Sequence, residues 1–314
     1  MLVLDPVQTK SALPFARLIA AIEEGFRAEC DVPLRHHHYL KNDTEEDAVL
    51  LLMPAWQARG YGGIKLVNVV PGNNARGRAA ISASYVLFDR ETGEHLLILD
   101  GGELTARRTA AASALAASKI ARPDSRHLLL VGAGRICRNI PAAYRSVLPI
   151  DTVRVFNRNR EKASALAADL RKEGIDADIA EDLEAACKSA DIITCATLSR
   201  EPVLRGTWLQ PGQHVDLIGG FTPHMREADD EVMRRGTVFV DTDHAKVECG
   251  DIALPLKSGA LREADIAGTL FDLCRKSAHR RTGPDEITVF KSVGSALEDL
   301  AAAILAYENV SGGG

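Results

Sequence analysis

Three positive side chains stand among apolar neighbours in the first third of the sequence. Arg35 lies in VPLRHHHY, Lys65 in GGIKLVNVVPGN, and Arg108 in LTARRTAA, at the start of an alanine-rich helix. A buried charge is costly unless it meets an opposite one, so each calls for an anion. The carboxylate of a bound substrate would serve; a carboxylate of the chain itself would serve as well. Spacing alone does not show that the three converge.

A second constellation is LLLVGAGRIC, where Gly132, Ala133 and Gly134 follow an apolar strand and precede a helix. In that context Gly-x-Gly reads as a dinucleotide turn. Gly132 permits the tight turn, Gly134 lets a pyrophosphate approach the backbone, and the helix start at Arg135 and Ile136 offers N–H groups to it. Cys137, a small residue, takes the third glycine position. The next strand ends in FNRNR, with Asn157, Arg158, Asn159 and Arg160 where an NAD site would carry Asp or Glu. An arginine there suits a 2′-phosphate, which favours NADPH over NADH. Arg158, directly after the strand, is the first candidate; a solvated basic loop is the alternative. Thr194, Cys195, Ala196 and Thr197 end a later strand with small side chains, leaving room for a nicotinamide ribose or filling the core.

A third stretch, VDLIGGFTPHMRE, ends an apolar run at Ile218 and turns at Gly219 and Gly220. Ligands sit outside strand carboxyl ends in open α/β sheets, so an acid or base is expected. Phe221 and Thr222 stand there instead. His224 follows, a proton donor or simply an exposed turn residue.

The elements that must position these residues come in two textures. TKSALPFARLIAAIEEGFRAE (9–29) predicts one amphipathic helix. PLRHHHYL, DAVLLLMPAW, YGGIKLVNVV, AAISASYVLFD and HLLILDG then predict a mostly antiparallel block, followed by a helix over 104–121. From HLLLVGAG onward strands and helices alternate, as in a parallel doubly wound sheet. The expected fold is α/β: a Rossmann-type NAD(P)-binding domain over 119–291, inserted in an α+β domain made of 1–118 and 292–314. SALEDLAAAILAYENV predicts the final helix.

Composition narrows the function. A net charge of −5 argues against non-specific nucleic-acid binding, which depends on a basic surface. The first residues lack the pattern of a signal peptide, and no apolar run reaches membrane-spanning length. Six cysteines without a C-x-x-C fit reduced thiols and a cytoplasmic setting. The three histidines of RHHHYL alternate faces if the segment is a strand, so no metal site is expected.

GIKLVNVVPGN, LFDRETGEHLLILDGGELTARRTAAASALAA, VGAG, FNR and FKSVGSALEDLAAA resemble, in order, the ornithine cyclodeaminase/mu-crystallin family. The resemblance runs from about residue 30 to 307. It implies a homodimer whose first domain builds the substrate pocket and dimer interface while the second binds NAD(P). Arg35, Lys65 and Arg108 match positions that hold a substrate carboxylate and its surroundings. Thr109 and the segment from Ser292 to Gly294 match positions near the cofactor; Ser292 would otherwise be a helix cap. Cyclodeaminases of the family carry an aspartate where Phe221 stands, and it handles the substrate amine. Glu227 matches a family glutamate but lies six residues on. The turn FTPHMRE resembles members that reduce cyclic ketimine acids, whose flat ring has no distal ammonium. The resemblance therefore implies NADPH-dependent reduction of a small cyclic imino acid. Arg35 and Arg108 would clamp the carboxylate, with Phe221 and Thr222 beside the substrate and Gly219 beside the nicotinamide. Lys65 would be the catalytic residue, since a buried lysine beside two arginines has a lowered pKa, suited to proton transfer. Other reductive activities, cyclodeamination, or ligand binding without turnover are the alternatives.

Overall fold

The computed structural model describes residues 1–43, 46–275 and 281–312. The chain divides into two compact units, Met1–Arg108 with Ser295–Gly314, and Thr109–Gly294.

The first unit contains β1 (Leu2–Leu4), α1 (Pro6–Ala12), α2 (Phe15–Arg27), β2 (Cys30–Asp31), β3 (His36–Leu40), β4 (Ala48–Gln57), β5 (Tyr61–Val69), β6 (Ile81–Asp89) and β7 (His95–Asp100). Its sheet runs β1-β7-β6-β5-β4-β2, with β3 also paired to β4. All pairs are antiparallel except β1 with β7. The single helix expected over 9–29 is two helices, broken at Leu13–Pro14. Proline lacks the N–H and bars its predecessor from helical geometry; Leu13 sits at φ −121°, ψ 60°. The carbonyl of Leu13 accepts from Arg107 Nε at 2.9 Å and Nη2 at 2.7 Å. The buried stripe of α2, Leu18, Ile19, Ile22 and Phe26, follows helical spacing.

Helix α3 (Gly101–Ile120) leaves this sheet. The sequence expectation puts the crossing at 118/119, but the division falls ten residues earlier, inside α3. The later part of the helix is tied to the second unit, with Ser113 Oγ donating to Asp216 Oδ1 at 3.2 Å.

The second unit contains β8 (His127–Val131), α4 (Arg135–Arg145), β9 (Thr152–Phe156), α5 (Arg160–Lys172), β10 (Asp176–Ile179), α6 (Leu183–Ser189), β11 (Ile192–Cys195) and β12 (His214–Leu217). Then follow α7 (Asp230–Arg235), β13 (Gly236–Val240), α8 (Ala245–Glu248), α9 (Gly250–Ser258), β14 (Ile266–Thr269), α10 (Leu270–Arg275) and β15 (Ile287–Lys291). The strands form one parallel sheet, ordered β10-β9-β8-β11-β12-β15-β13-β14. Chain order reverses between β8 and β11, the switch point where a parallel sheet opens a crevice. Helix α11 (Ala296–Ser311) closes the first unit and packs on α2, where a Cβ at Gly25 would meet Leu297 Cδ2 at 3.2 Å. Among the described residues no helix is long and apolar enough to cross a membrane.

Candidate functional site

Lys65 sits on β5 with its side chain on the buried face, 2% exposed. Its ammonium lies 2.7 Å from Asp299 Oδ2 and 3.4 Å from Thr105 Oγ1. Arg108 donates through Nε to Asp299 Oδ1 at 2.9 Å and through Nη1 to Glu298 Oε2 at 2.7 Å. The anions beside these two cations are therefore the chain's own, the second of the two alternatives that the sequence leaves open. Both carboxylates lie in the first turn of α11, where the helix dipole favours negative charge. That helix is capped by Ser295, whose hydroxyl accepts from Leu297 N at 3.3 Å, and not by Ser292.

Arg35, half-buried just before β3, acts on the same cluster. The Lys65 ammonium is lowered to about 8: burial pushes it down, Asp299 opposes this, and the positive charges of Arg108 and Arg35 add to the lowering. Burial raises the Asp299 carboxyl, but Arg108 and Lys65 outweigh it and hold the group below the usual carboxylate range. Lys65 and Arg108 thus meet Asp299 and Glu298 directly, and Arg35 adds a third positive charge to their field. Glu298 and Asp299 were legible only as acids in an otherwise apolar helix, SALEDLAAAILA.

The second unit holds a cavity of about 440 Å³ at the carboxyl ends of β8, β9 and β11. Gly132, Ala133 and Gly134 form one wall, Asn157, Arg158 and Asn159 another, and Ala196 and Thr197 a third. Gly132 has φ +125°, and a Cβ there would meet the Ala196 carbonyl at 2.7 Å, so glycine is needed for both turn and approach. Above Gly134, the cap of α4, lies open space, as a phosphate cradle requires. Cys137 is buried, its Sγ 3.1 Å from where a Gly132 Cβ would be; it packs helix against strand. Arg158 Nη2 donates to Ser199 Oγ at 3.3 Å. Among the described residues no aspartate or glutamate lines the cavity, while Arg158 and Lys162 both do. These residues fit a nicotinamide dinucleotide.

Other expected residues lie outside this lining. Thr194 and Cys195 are fully buried within β11, so TCAT narrows to its last two residues. Arg135 and Ile136 occupy the first turn of α4. Thr109, Ile218 and Ser292 are buried. Gly294, at φ +80°, donates its N–H to Asp241 Oδ2 at 2.7 Å, as does Val293; Asp241 was not singled out from the sequence.

The glycine turn after β12 is built on buried charge. Glu227 accepts from Thr197 N at 2.6 Å, Thr197 Oγ1 at 2.8 Å and Gly219 N at 2.6 Å. Fully buried and bonded to backbone, it is a brace rather than a replacement acid. Asp251 accepts from Glu227 N at 2.7 Å and Ala228 N at 3.1 Å, and its other oxygen lies 3.1 Å from Lys291 Nζ. A Cβ at Gly219 would stand 1.8 Å from the Thr197 carbonyl, and one at Gly220 2.6 Å from Asp251 Oδ2. On this rigid base Phe221 projects outward, 49% exposed. Thr222 is partly buried, its carbonyl accepting from Met225 and Gly250. His224 is exposed. In β3, His36, His37 and His38 are exposed as well.

A model of the ornithine cyclodeaminase/mu-crystallin family matches residues 1–314. The Δ1-pyrroline-2-carboxylate reductase of Paracoccus denitrificans is 45% identical over 254 residues, 79% of each chain. The ketimine reductase mu-crystallin of Mus musculus is 35% identical over 264 residues, 83% of this chain and 80% of that one. The solved structure of Thermococcus litoralis Δ1-pyrroline-2-carboxylate reductase in complex with NADH and L-proline matches with TM-score 0.93 at 32% identity, over 99% of this chain and 98% of that one.

Proposed function

The chain belongs to the ornithine cyclodeaminase/mu-crystallin family, and from that premise we propose that it is an NADPH-dependent reductase of cyclic ketimine acids. It would convert Δ1-pyrroline-2-carboxylate to L-proline and Δ1-piperideine-2-carboxylate to L-pipecolate. The observation that carries the reading is Phe221, an apolar side chain presented on a braced turn where a cyclodeaminase would need an acid. The reductases among its relatives support it. So does the solved reductase with L-proline bound.

In this reading the first unit supplies the charged groups for the substrate, and the second binds the dinucleotide and supplies Phe221. The cluster of Arg35, Lys65 and Arg108 takes the substrate carboxylate. Lys65 holds the proton that the imine nitrogen gains, making the carbon a better hydride acceptor. Asp299 keeps that ammonium in place. When bound, the reduced nicotinamide supplies the hydride. Phe221 lies against the flat ring and excludes water. The preference for NADPH rests on Arg158 and on the lack of a carboxylate in the cavity wall, since the solved Thermococcus relative holds NADH.

A screen of NADPH and NADH oxidation tests the activity. Turnover with either cyclic ketimine acid is the expected result. Turnover only with pyruvate and ammonia would replace the reading with an amino-acid dehydrogenase, and proline with ammonia from ornithine would replace it with a cyclodeaminase. Tight substrate binding without turnover would make it a binding protein. Phe221→Asp is expected to lower kcat/KM for the ketimine about tenfold or more, or about 1.4 kcal/mol, because the new carboxylate repels that of the substrate. The side chain is exposed, so stability should change by no more than about 0.5 kcal/mol. Unchanged kcat/KM would remove the turn from the substrate pocket.

A further inference from the structure

We infer that Lys162 is a second cation of the site for the cofactor's 2′-phosphate and sets cofactor choice together with Arg158. The inference rests on the NADPH reading above and names a residue that the strand-end motif does not contain. Three cations follow β9 at 158, 160 and 162, and the structure separates them. Arg160 is turned to Glu181, which takes both of its terminal nitrogens, one at 2.6 Å. Arg158 and Lys162 instead line the cavity beside Asn157, Asn159 and Ser199.

The placement of Lys162 has a local cause. Asn159 caps α5, and its side chain accepts the backbone N–H of Lys162 at 3.0 Å. That bond fixes Lys162 in the first turn of a 13-residue helix. Side chains on a helix lean toward its N-terminus, which here is the cavity side. A phosphate monoester carries roughly −1.5 to −2 charge near neutral pH, so one arginine leaves roughly a third to a half of it unmatched. Arginine meets it with a planar fork, lysine as a mobile point charge. Among the described residues no acid of the lining pairs with either cation; Arg158 meets the neutral Ser199 hydroxyl.

The test uses the purified full-length chain and calorimetric binding of 2′,5′-ADP and 5′-ADP, alongside KM for NADPH and NADH. The wild type should bind 2′,5′-ADP more tightly than 5′-ADP. Lys162→Met should weaken 2′,5′-ADP and raise the NADPH KM roughly tenfold, with 5′-ADP and NADH held within about twofold. Lys162→Arg should restore most of the difference. Lys162 is exposed, so the variants should fold normally. If the wild type binds the two nucleotides equally, the NADPH reading itself falls. If Arg158→Met abolishes the preference while Lys162→Met keeps it, the NADPH reading stands and the role of Lys162 is overturned. Equal weakening of both nucleotides by Lys162→Met also overturns it.

Discussion

Replacing Arg108 with methionine should destabilise the first unit by about 3–5 kcal/mol, the usual result of stripping one partner from a buried ion pair. Arg108 is 5% exposed and joins Glu298 to Asp299. Without it Asp299 keeps Lys65, and Glu298 loses its bond to the guanidinium. The pH dependence carries the diagnosis. With that charge gone and burial unchanged, the folded-state titration of Asp299 moves upward, so the folded variant holds protons that the folded wild type has released. Its deficit against the wild type should be largest near neutral pH and shrink as pH falls through the carboxylate range. Denaturant unfolding of both proteins at several pH values measures this. A loss under about 1 kcal/mol would show that these charges are solvated rather than buried. A lost activity in this variant therefore says little about substrate binding.

Lys65→Met isolates the chemistry better. Methionine matches the aliphatic stem on the buried face of β5, and Asp299 keeps Arg108 as a partner. We expect kcat for ketimine reduction to fall about 10²–10⁴-fold, the usual contribution of a positioned proton donor. The sign with pH follows from the lowered ammonium, at about 8. The acid form is the working form, so wild-type kcat/KM should decline as pH rises through that value. The variant should lose this limb of its profile. An unchanged kcat at saturating substrate would end the proton role, and a raised KM alone would make Lys65 a carboxylate anchor.

Much of the architecture was legible because it depends on local patterns. Strand-glycine-helix signals marked Gly132 and Gly134, and the strand-end FNRNR marked Arg158, since a dinucleotide turn is a backbone device with few solutions. The helix break at Leu13–Pro14 was missed because apolar spacing runs through the proline without interruption. The pairing of Lys65 and Arg108 with Glu298 and Asp299 spans some two hundred positions, and no local pattern announces which acids will be buried. Thr194 and Cys195 were assigned to the cavity for their size, yet a strand between two neighbours buries its residues before its end opens. Lys162 was passed over because strand-end reasoning stops at the strand, while the cap of the next helix put it in the wall.

The last strand of the parallel sheet has a consequence for how the chain matures. β15 lies between β12 and β13, hydrogen-bonded to both, and leads on toward α11, which completes the first unit. During synthesis neither unit can close until the ribosome has passed residue 287. A nascent chain short of that point carries a sheet with an unfilled slot and two open edges, the kind of surface on which other strands assemble. Pairings this distant in sequence also form slowly. Maturation should therefore be late and concerted, with chaperone demand concentrated in the final moments of translation rather than spread domain by domain.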